Sequence, residues 1–283
     1  REKSGAGMLD CKKALNECDG DIEAATKYLR EAGLSKAAKK SSNVAAEGLI
    51  TILVNEDNTK VTMTEVNSQT DFVAKGDEFK NFANEIAALA LAAKTTDIEA
   101  VMNMTMASGK TVDTTRREMI AKIGENMSVR RLEIIETTGQ IGQYQHGEKI
   151  GVVVSLDGGD DALARDIAMH VAAAKPSAVS ADDLDSAVVE KERAFQIEQA
   201  QTSGKPMEII EKMIEGRMRK FVGEITLLGQ SFIKDPDQTV EKLLKSNSAS
   251  VSSFIRLEVG EGIVIEETNF ADEVALAAKA VTG

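Results

Sequence analysis

Hydrophobic positions along the chain recur with two different periods, and their order sketches an architecture. Near the N-terminus, residues 8–18 repeat at helical spacing, with Met8, Cys11, Ala14 and Leu15 on one face. Asp19-Gly20 breaks that pattern. Asp21 suits the N-cap of a second helix over 22–31, with Ile22, Ala25 and Leu29 inward, and Gly33 reads as its stop. Residues 35–43, rich in lysine and serine, read as a linker. Two short helices bury little surface alone, so a third element from upstream of Arg1 is expected to complete them.

Beyond residue 47 the period shortens to two. Residues 48–54 and 60–66 alternate as a hairpin turning at 55–58, and residues 139–145 and 149–155 as a second, turning at His146-Gly147. An alanine-rich helix follows each hairpin, one containing residues 85–90 and the other 166–171. A strand then closes each unit, at 131–135 and at 256–259. The reading is α+β, with two related subdomains of three antiparallel strands each. Each unit carries an insert. In the first it is 67–75. In the second it is 182–222, a helical hairpin with a seam of Leu184, Val188, Phe195, Ile210, Met213 and Ile214, tipped by Ser203-Gly204-Lys205-Pro206. Antiparallel helices of this length protrude as a coiled-coil arm. The divisions are 1–34, a linker 35–46, a core N-subdomain 47–138, a core C-subdomain 139–181 with 223–266, the arm 182–222, and a C-terminal helical module 267–283.

Composition narrows the function. The chain has 283 residues, 42% of them hydrophobic, so it can build a core, but only 4% are aromatic and none is Trp. The formal net charge of −12 repels phosphate backbones and argues against direct nucleic-acid binding. The longest apolar run, 86–93, is too short to span a membrane. Cys11 and Cys18 form no CxxC pair, and reduced thiols in a cytoplasmic protein are the simple reading.

Catalytic motifs are missing. The sequence contains no GxxxxGK[ST], no GxGxxG after a strand and no HExxH, and two histidines cannot make a His-rich metal site. No cofactor, metal or catalytic residue is assigned, and the chain is expected to bind no nucleotide itself. His170 falls where Leu89 stands in the other repeat, so it reads as a packed core histidine. His146 sits at a hairpin tip, as a turn residue or an exposed contact. Asn67 to Lys75 is the odd segment, because it sets Phe72 among polar residues off a strand end. Two readings stand: Phe72 folded onto the core with Asp71 capping the next helix, or an aromatic wedge beside a carboxylate, aimed at a partner.

Several stretches resemble the bacterial elongation factor Ts family. They are Gly5-Ala-Gly-Met8-Leu-Asp-Cys-Lys-Lys-Ala-Leu, Gln69-Thr-Asp-Phe-Val-Ala-Lys, Lys122-Ile-Gly-Glu-Asn-Met-Ser-Val-Arg-Arg, Tyr144-Gln-His-Gly, His170 through Lys175-Pro176, and Gly204-Lys205-Pro206. They span nearly the whole chain in order. The resemblance implies a guanine-nucleotide exchange factor that acts by binding elongation factor Tu, GDP-bound or nucleotide-free, and leaves open whether the complex pairs into a larger assembly. It also implies a ubiquitin-associated-like N-terminal module and a C-terminal helix. Carried over by position, Thr70, Asp71, Phe72 and Val73 would enter the partner near its magnesium site. Met8 and Leu9 match a contact with the partner's G domain, Leu9 standing where some members have Met. His146 matches a core contact. Phe232 and Ile233 match a region facing another partner domain, although Ser231 and Lys234 depart from the family's residues nearby. The rival readings are a peptide-binding adaptor, which needs no wedge at Phe72, and an enzyme with an acidic site, for which no motif speaks.

Overall fold

The computed structural model describes residues 6–201 and 207–264; the arm tip at 203–206 and the helix expected over 267–283 lie outside them. Helix α1 (Met8–Glu17) turns through Asp19 and Gly20, both at positive φ (49° and 83°), into α2 (Ile22–Lys40). Asp21 caps α2, its carboxylate accepting from the amides of Glu23 (2.8 Å) and Ala24 (3.1 Å). Of the expected inward faces, Ala14 and Ala25 are buried and Cys11 and Leu29 half-buried, whereas Met8, Leu15 and Ile22 are exposed.

Gly33 does not stop α2, and residues 35–40 are helix instead of linker. Gly33 lies against the later helix α6, where an added Cβ would stand 3.0 Å from the Cβ of Ala121. This close approach offsets the roughly 1 kcal/mol helix penalty of glycine. Lys39 and Lys40 occupy the last turn, where the helix dipole favours cations. The connection to the next unit shrinks to 41–46.

The first α+β unit runs β1 (Glu47–Val54), β2 (Lys60–Ser68), α3 (Asp71–Ala74), α4 (Asp77–Ala93), α5 (Ile98–Met102), α6 (Val112–Ile123) and β3 (Met127–Glu136). Its strands form an antiparallel sheet in the order β1-β2-β3. The second unit runs β4 (Gln140–His146), β5 (Ile150–Asp157) and α7 (Asp161–Ala174), continues through the arm helices α8 (Ser186–Gln201) and α9 (Met207–Ile225), and ends with β6 (Ser231–Phe232), β7 (Asp235–Thr239), α10 (Val240–Ser246) and β8 (Ser250–Glu258). Its main sheet is β4-β5-β8, antiparallel throughout. Both hairpins, both alanine-rich helices and both closing strands stand where the alternation predicts them.

Strand alternation sorts side chains into layers. One face of the first sheet offers Leu49, Val66, Met127, Val129 and Leu132 to Phe79, Phe82, Ala83, Ile86 and Ala90 of α4. One face of the second offers Val152, Val154 and Leu156 to Ala164, Ile167, Ala168 and Val171 of α7. The remaining faces meet each other through Ile50, Val61, Met63, Ile135, Val153 and Leu257, giving a helix–sheet–sheet–helix sandwich. Gly151 permits this contact: a Cβ there would press on Ile50 Cγ2 at 2.6 Å.

Glu65 is fully buried on this inner face. It accepts from Arg130 Nη1 (3.0 and 3.1 Å), Arg131 Nε, Asn67 Nδ2 (3.0 Å) and the Gly260 amide (2.8 Å). A bulge in the β2–β3 ladder pairs Glu65 with Arg131 and Val66 with Val129, and the extra residue, Arg130, lets two consecutive arginines reach one carboxylate. Because Gly260 follows β8, this node ties the first unit to the second.

The arm is an antiparallel helix pair sealed by Ala200, Ile210, Ile214, Met218, Val189 and Phe221. Its seam on α8 therefore runs one residue away from the expected one: Val188 and Phe195 are exposed, while Val189 turns inward and Gln196 accepts from Arg217 Nη1 (2.9 Å). One residue rotates a helix face by about 100°, and the adjacent valines made either register readable.

Candidate functional site

Strand β2 ends in a tight sequence of hydrogen bonds that launches α3. The Ser68 hydroxyl donates to the Thr70 carbonyl (2.9 Å), and Thr70 caps α3 by accepting from the Val73 amide (3.5 Å). Asp71 therefore opens α3 and does not cap α4, whose N-cap is Gly76. Within this single turn, Ala74 is buried and Val73 packs on the first core, so Phe72 is directed outward and is 84% exposed. The reading in which Phe72 folds onto the core is overturned: Val73 and Ala74 make this turn's contacts with the core, and the Phe72 ring takes no part in it.

Asp71 pairs with Lys75 one turn later (2.6 Å), and this hydrogen bond holds its carboxyl below the ordinary aspartate range, with Lys149 adding a smaller pull in the same direction. Lys75 is raised in return, first by Asp71 and then by the charges of Glu47 and Glu148. Those charges bring the second unit to the site. Glu148 pairs with Lys80 of α4 (2.7 Å), Lys149 pairs with Glu47 at the start of β1 (2.6 Å), and the Ile50 amide donates to the Glu148 carbonyl (2.8 Å). The β4–β5 turn thus lies beside α3, and His146 stands exposed at its entrance, its Nδ1 3.4 Å from the Tyr144 hydroxyl. Phe72 and His146, far apart in sequence, belong to elements whose charges act on one another.

The other expected contacts sit on separate elements. Met8 (70% exposed) and Leu9 (83%) open α1. Ile233 is partly exposed after β6, but Phe232 is buried against the ring of His170 (centroids 5.9 Å apart), so it supports that surface from beneath and does not present its own ring. His170 is the packed histidine expected. Its Nε2 donates to Gln230 Oε1 (3.0 Å), its Nδ1 accepts from the Ile233 amide (3.3 Å), and burial lowers its pKa against a smaller upward pull from Gln230.

Sequence reasoning missed the groups that hold α3. The Glu125 carboxylate accepts from the amide and hydroxyl of Thr70, and the Asn126 amide donates to Gln69 Oε1 (2.9 Å). Both lie in the Lys122–Arg131 stretch, whose resemblance was visible but whose role was not. Among the described residues no group of three or more His, Cys, Asp or Glu stands together to hold a metal, and no helix is long and apolar enough to cross a membrane.

Comparison with known proteins gives one consistent result. The elongation factor Ts family profile matches residues 69–261. An elongation factor Ts of Hydrogenovibrio crunogenus is 68% identical over 283 residues, covering all of this chain and 96% of the relative. Those of Methylococcus capsulatus and Alkalilimnicola ehrlichii are 55% and 53% identical, covering 97% and 99% of this chain and 94% and 96% of the relatives.

Proposed function

The chain belongs to the elongation factor Ts family of translation elongation factors, and from that premise we propose that it speeds release of GDP from elongation factor Tu by pressing Thr70, Asp71, Phe72 and Val73 against the partner's magnesium and nucleotide site. The observation that carries this reading is Phe72, 84% exposed on a one-turn helix whose next two side chains are seated in the core. A lone exposed hydrophobe is ordinary. A phenyl ring turned outward beside a carboxylate, on a turn anchored in the core, is an anchor of the kind that supplies interface hot spots.

A GTPase holds GDP through backbone amides, a lysine and a magnesium ion that bridges phosphate and protein. That ion is a large local charge, and groups displaced around it weaken the whole site. A factor that binds the empty GTPase better than the loaded one lowers nucleotide affinity by the same ratio. Each ten-fold gain in release rate needs about 1.4 kcal/mol less barrier, whereas one hot-spot ring contributes about 2 kcal/mol or more. Large accelerations therefore require further contacts. Met8 and Leu9, His146 and Ile233 are assigned that role, with Phe232 beneath. The division of labour follows the chain: helical N-terminal module, two core subdomains that carry the wedge, and the arm. The protein acts by binding in the cytoplasm, without covalent chemistry, cofactor, nucleic acid or membrane.

The test is release of fluorescent GDP from elongation factor Tu with the protein at catalytic amounts. Multiple turnovers of accelerated release are expected; release no faster than the unassisted rate would overturn the reading. Equilibrium dialysis against GDP and GTP without the partner should give no binding above background.

A further inference from the structure

A helix of four residues cannot hold itself, because a single turn fixes many dihedrals for few hydrogen bonds. What holds α3 lies far away in sequence. Gly124, at φ 87°, ends α6 and turns the chain so that Glu125 meets the end of β2. Glu125 Oε2 accepts from the Thr70 amide (3.0 Å), and its two oxygens lie 2.8 and 3.0 Å from the Thr70 hydroxyl. The hydroxyl proton is committed to the carboxylate, which leaves the Thr70 oxygen lone pairs for the Val73 amide, the capping bond of α3. Charge-assisted bonds of this kind are roughly twice as strong as neutral ones.

Glu125 is itself held in place. Its neighbour Asn126 is buried, donates its amide to Gln69 Oε1 (2.9 Å), and sends its side-chain amide to the carbonyls of Ser41 (3.3 Å) and Asn43 (2.8 Å). The dipeptide thus grips the residue that caps α3 and the residue before that cap, from a base anchored where α2 joins the core.

We infer that Glu125 is the positioning residue of the Phe72 element: by binding Thr70 at two points it sets the start of α3, and with it the direction in which Phe72 stands. Glu125 acts on nucleotide release through Phe72. This rests on the exchange reading above. The two fail in different ways.

The experiment is a double-mutant cycle read as GDP release from elongation factor Tu at saturating factor, with Phe72→Ala, Glu125→Ala, their combination, and Glu125→Gln. Thermal unfolding of each protein is followed alongside. Glu125→Ala should slow release about five-fold, a barrier change of about 1 kcal/mol. Glu125→Gln should lose less, since its amide oxygen can still accept from Thr70, though without the carboxylate's charge or its second oxygen. In the Phe72→Ala background, Glu125→Ala should change release by less than about two-fold, because the group it positions is gone. If Phe72→Ala slows release and Glu125→Ala does not, the positioning role is wrong and the exchange reading stands. Equal losses in both backgrounds would also refute it, since Glu125 would then act by another route. If Phe72→Ala leaves release unchanged, the exchange reading itself falls and takes the inference with it. Should Glu125→Ala unfold at the assay temperature, Glu125→Gln carries the cycle instead: its smaller loss should shrink in the Phe72→Ala background, and no loss in either background, or an equal loss in both, would refute the positioning role.

Discussion

Truncating Phe72 separates a wedge from a core residue in one protein. Only about a sixth of the ring surface is covered in the free factor. A fully buried aromatic removes on the order of 200 Å² from water, so Phe72→Ala uncovers roughly 30 Å², worth less than about 1 kcal/mol at about 25 cal/mol per Å². The contrast is Phe79, 1% exposed under the first sheet, where truncation should cost about 3–5 kcal/mol. Phe72→Ala should therefore unfold in urea nearly where the wild type does, while GDP release from elongation factor Tu, followed by stopped-flow fluorescence, slows by about ten-fold or more, the kinetic equivalent of about 1.4 kcal/mol. Asp71→Ala should move release in the same direction but less, since its carboxylate is already engaged by Lys75. The reasoning is refuted if Phe72→Ala loses several kcal/mol of stability yet exchanges normally per folded molecule. That result would make the ring a structural element whose exposure is incidental.

Further outcomes follow from the core and the arm. Glu65→Ala leaves Arg130 and Arg131 without their carboxylate and should cost about 3–5 kcal/mol in denaturant unfolding at neutral pH; a loss under about 1 kcal/mol would show that the node is not a lock between the units. Burial pushes the Glu65 pKa up, but the Gly260 amide, Asn67 and Arg131 together leave it lowered, so its stabilisation is complete above the unfolded value of about 4.3 and is lost as pH falls through the folded one. Wild type should then lose stability in acid more steeply than Glu65→Gln. His170 has a folded pKa lowered chiefly by burial, so its contribution is present above about pH 6.5 and declines as pH falls from there toward the folded value. The unfolding midpoint should drop as pH falls below about 6.5 and the profile of His170→Gln should be flatter, an equally steep profile counting against this histidine as the cause. Replacing 182–222 with a short linker should preserve one cooperative unfolding transition, because the arm's base is closed by the Ser177 amide on Ile225 (2.7 Å) and the Leu227 amide on Ala178 (2.9 Å); a broad or lost transition would make the arm part of the core.

What could be read in advance was whatever a short window contains. Alternation at 48–54 and 149–155 defines strands because every second side chain must face a core, and no distant residue is needed to see it. His170 could be placed because the repeat supplied Leu89 as an internal comparison. Where one local pattern admits two three-dimensional answers, reading failed. Gly33 serves equally as a helix stop or as a close helix contact, and only Ala121 decides. Val188 and Val189 offer two seams, and only α9 decides. The readings of Phe72 could not be separated because the fate of one ring depends on which residues of its turn make the contacts with the core, as Val73 and Ala74 do.

The same limit explains why the site's supports were invisible although their sequence was in plain view. Three of the stretches that carry the resemblance to the family, 69–75, 122–131 and 144–147, are gathered by the fold around one short helix. The first supplies Phe72 and Asp71. The second supplies Glu125 and Asn126 for the start of α3, then Arg130 and Arg131 for Glu65, so one stretch secures both the residues that follow β2 and the buried face of β2 itself. The third leads into Glu148 and Lys149, which reach Lys80 and Glu47 across the boundary between units. Each of these bonds joins residues dozens of positions apart, so no periodicity records it. A rigid exposed ring needs such support: ordering costs about 1–2 kcal/mol per residue of backbone, and a ring ordered before the partner arrives does not pay that cost on binding. On the proposed exchange reading the groups surrounding α3 therefore matter as much as the ring, and a substitution at Glu125 should slow exchange while leaving every partner-facing side chain unchanged.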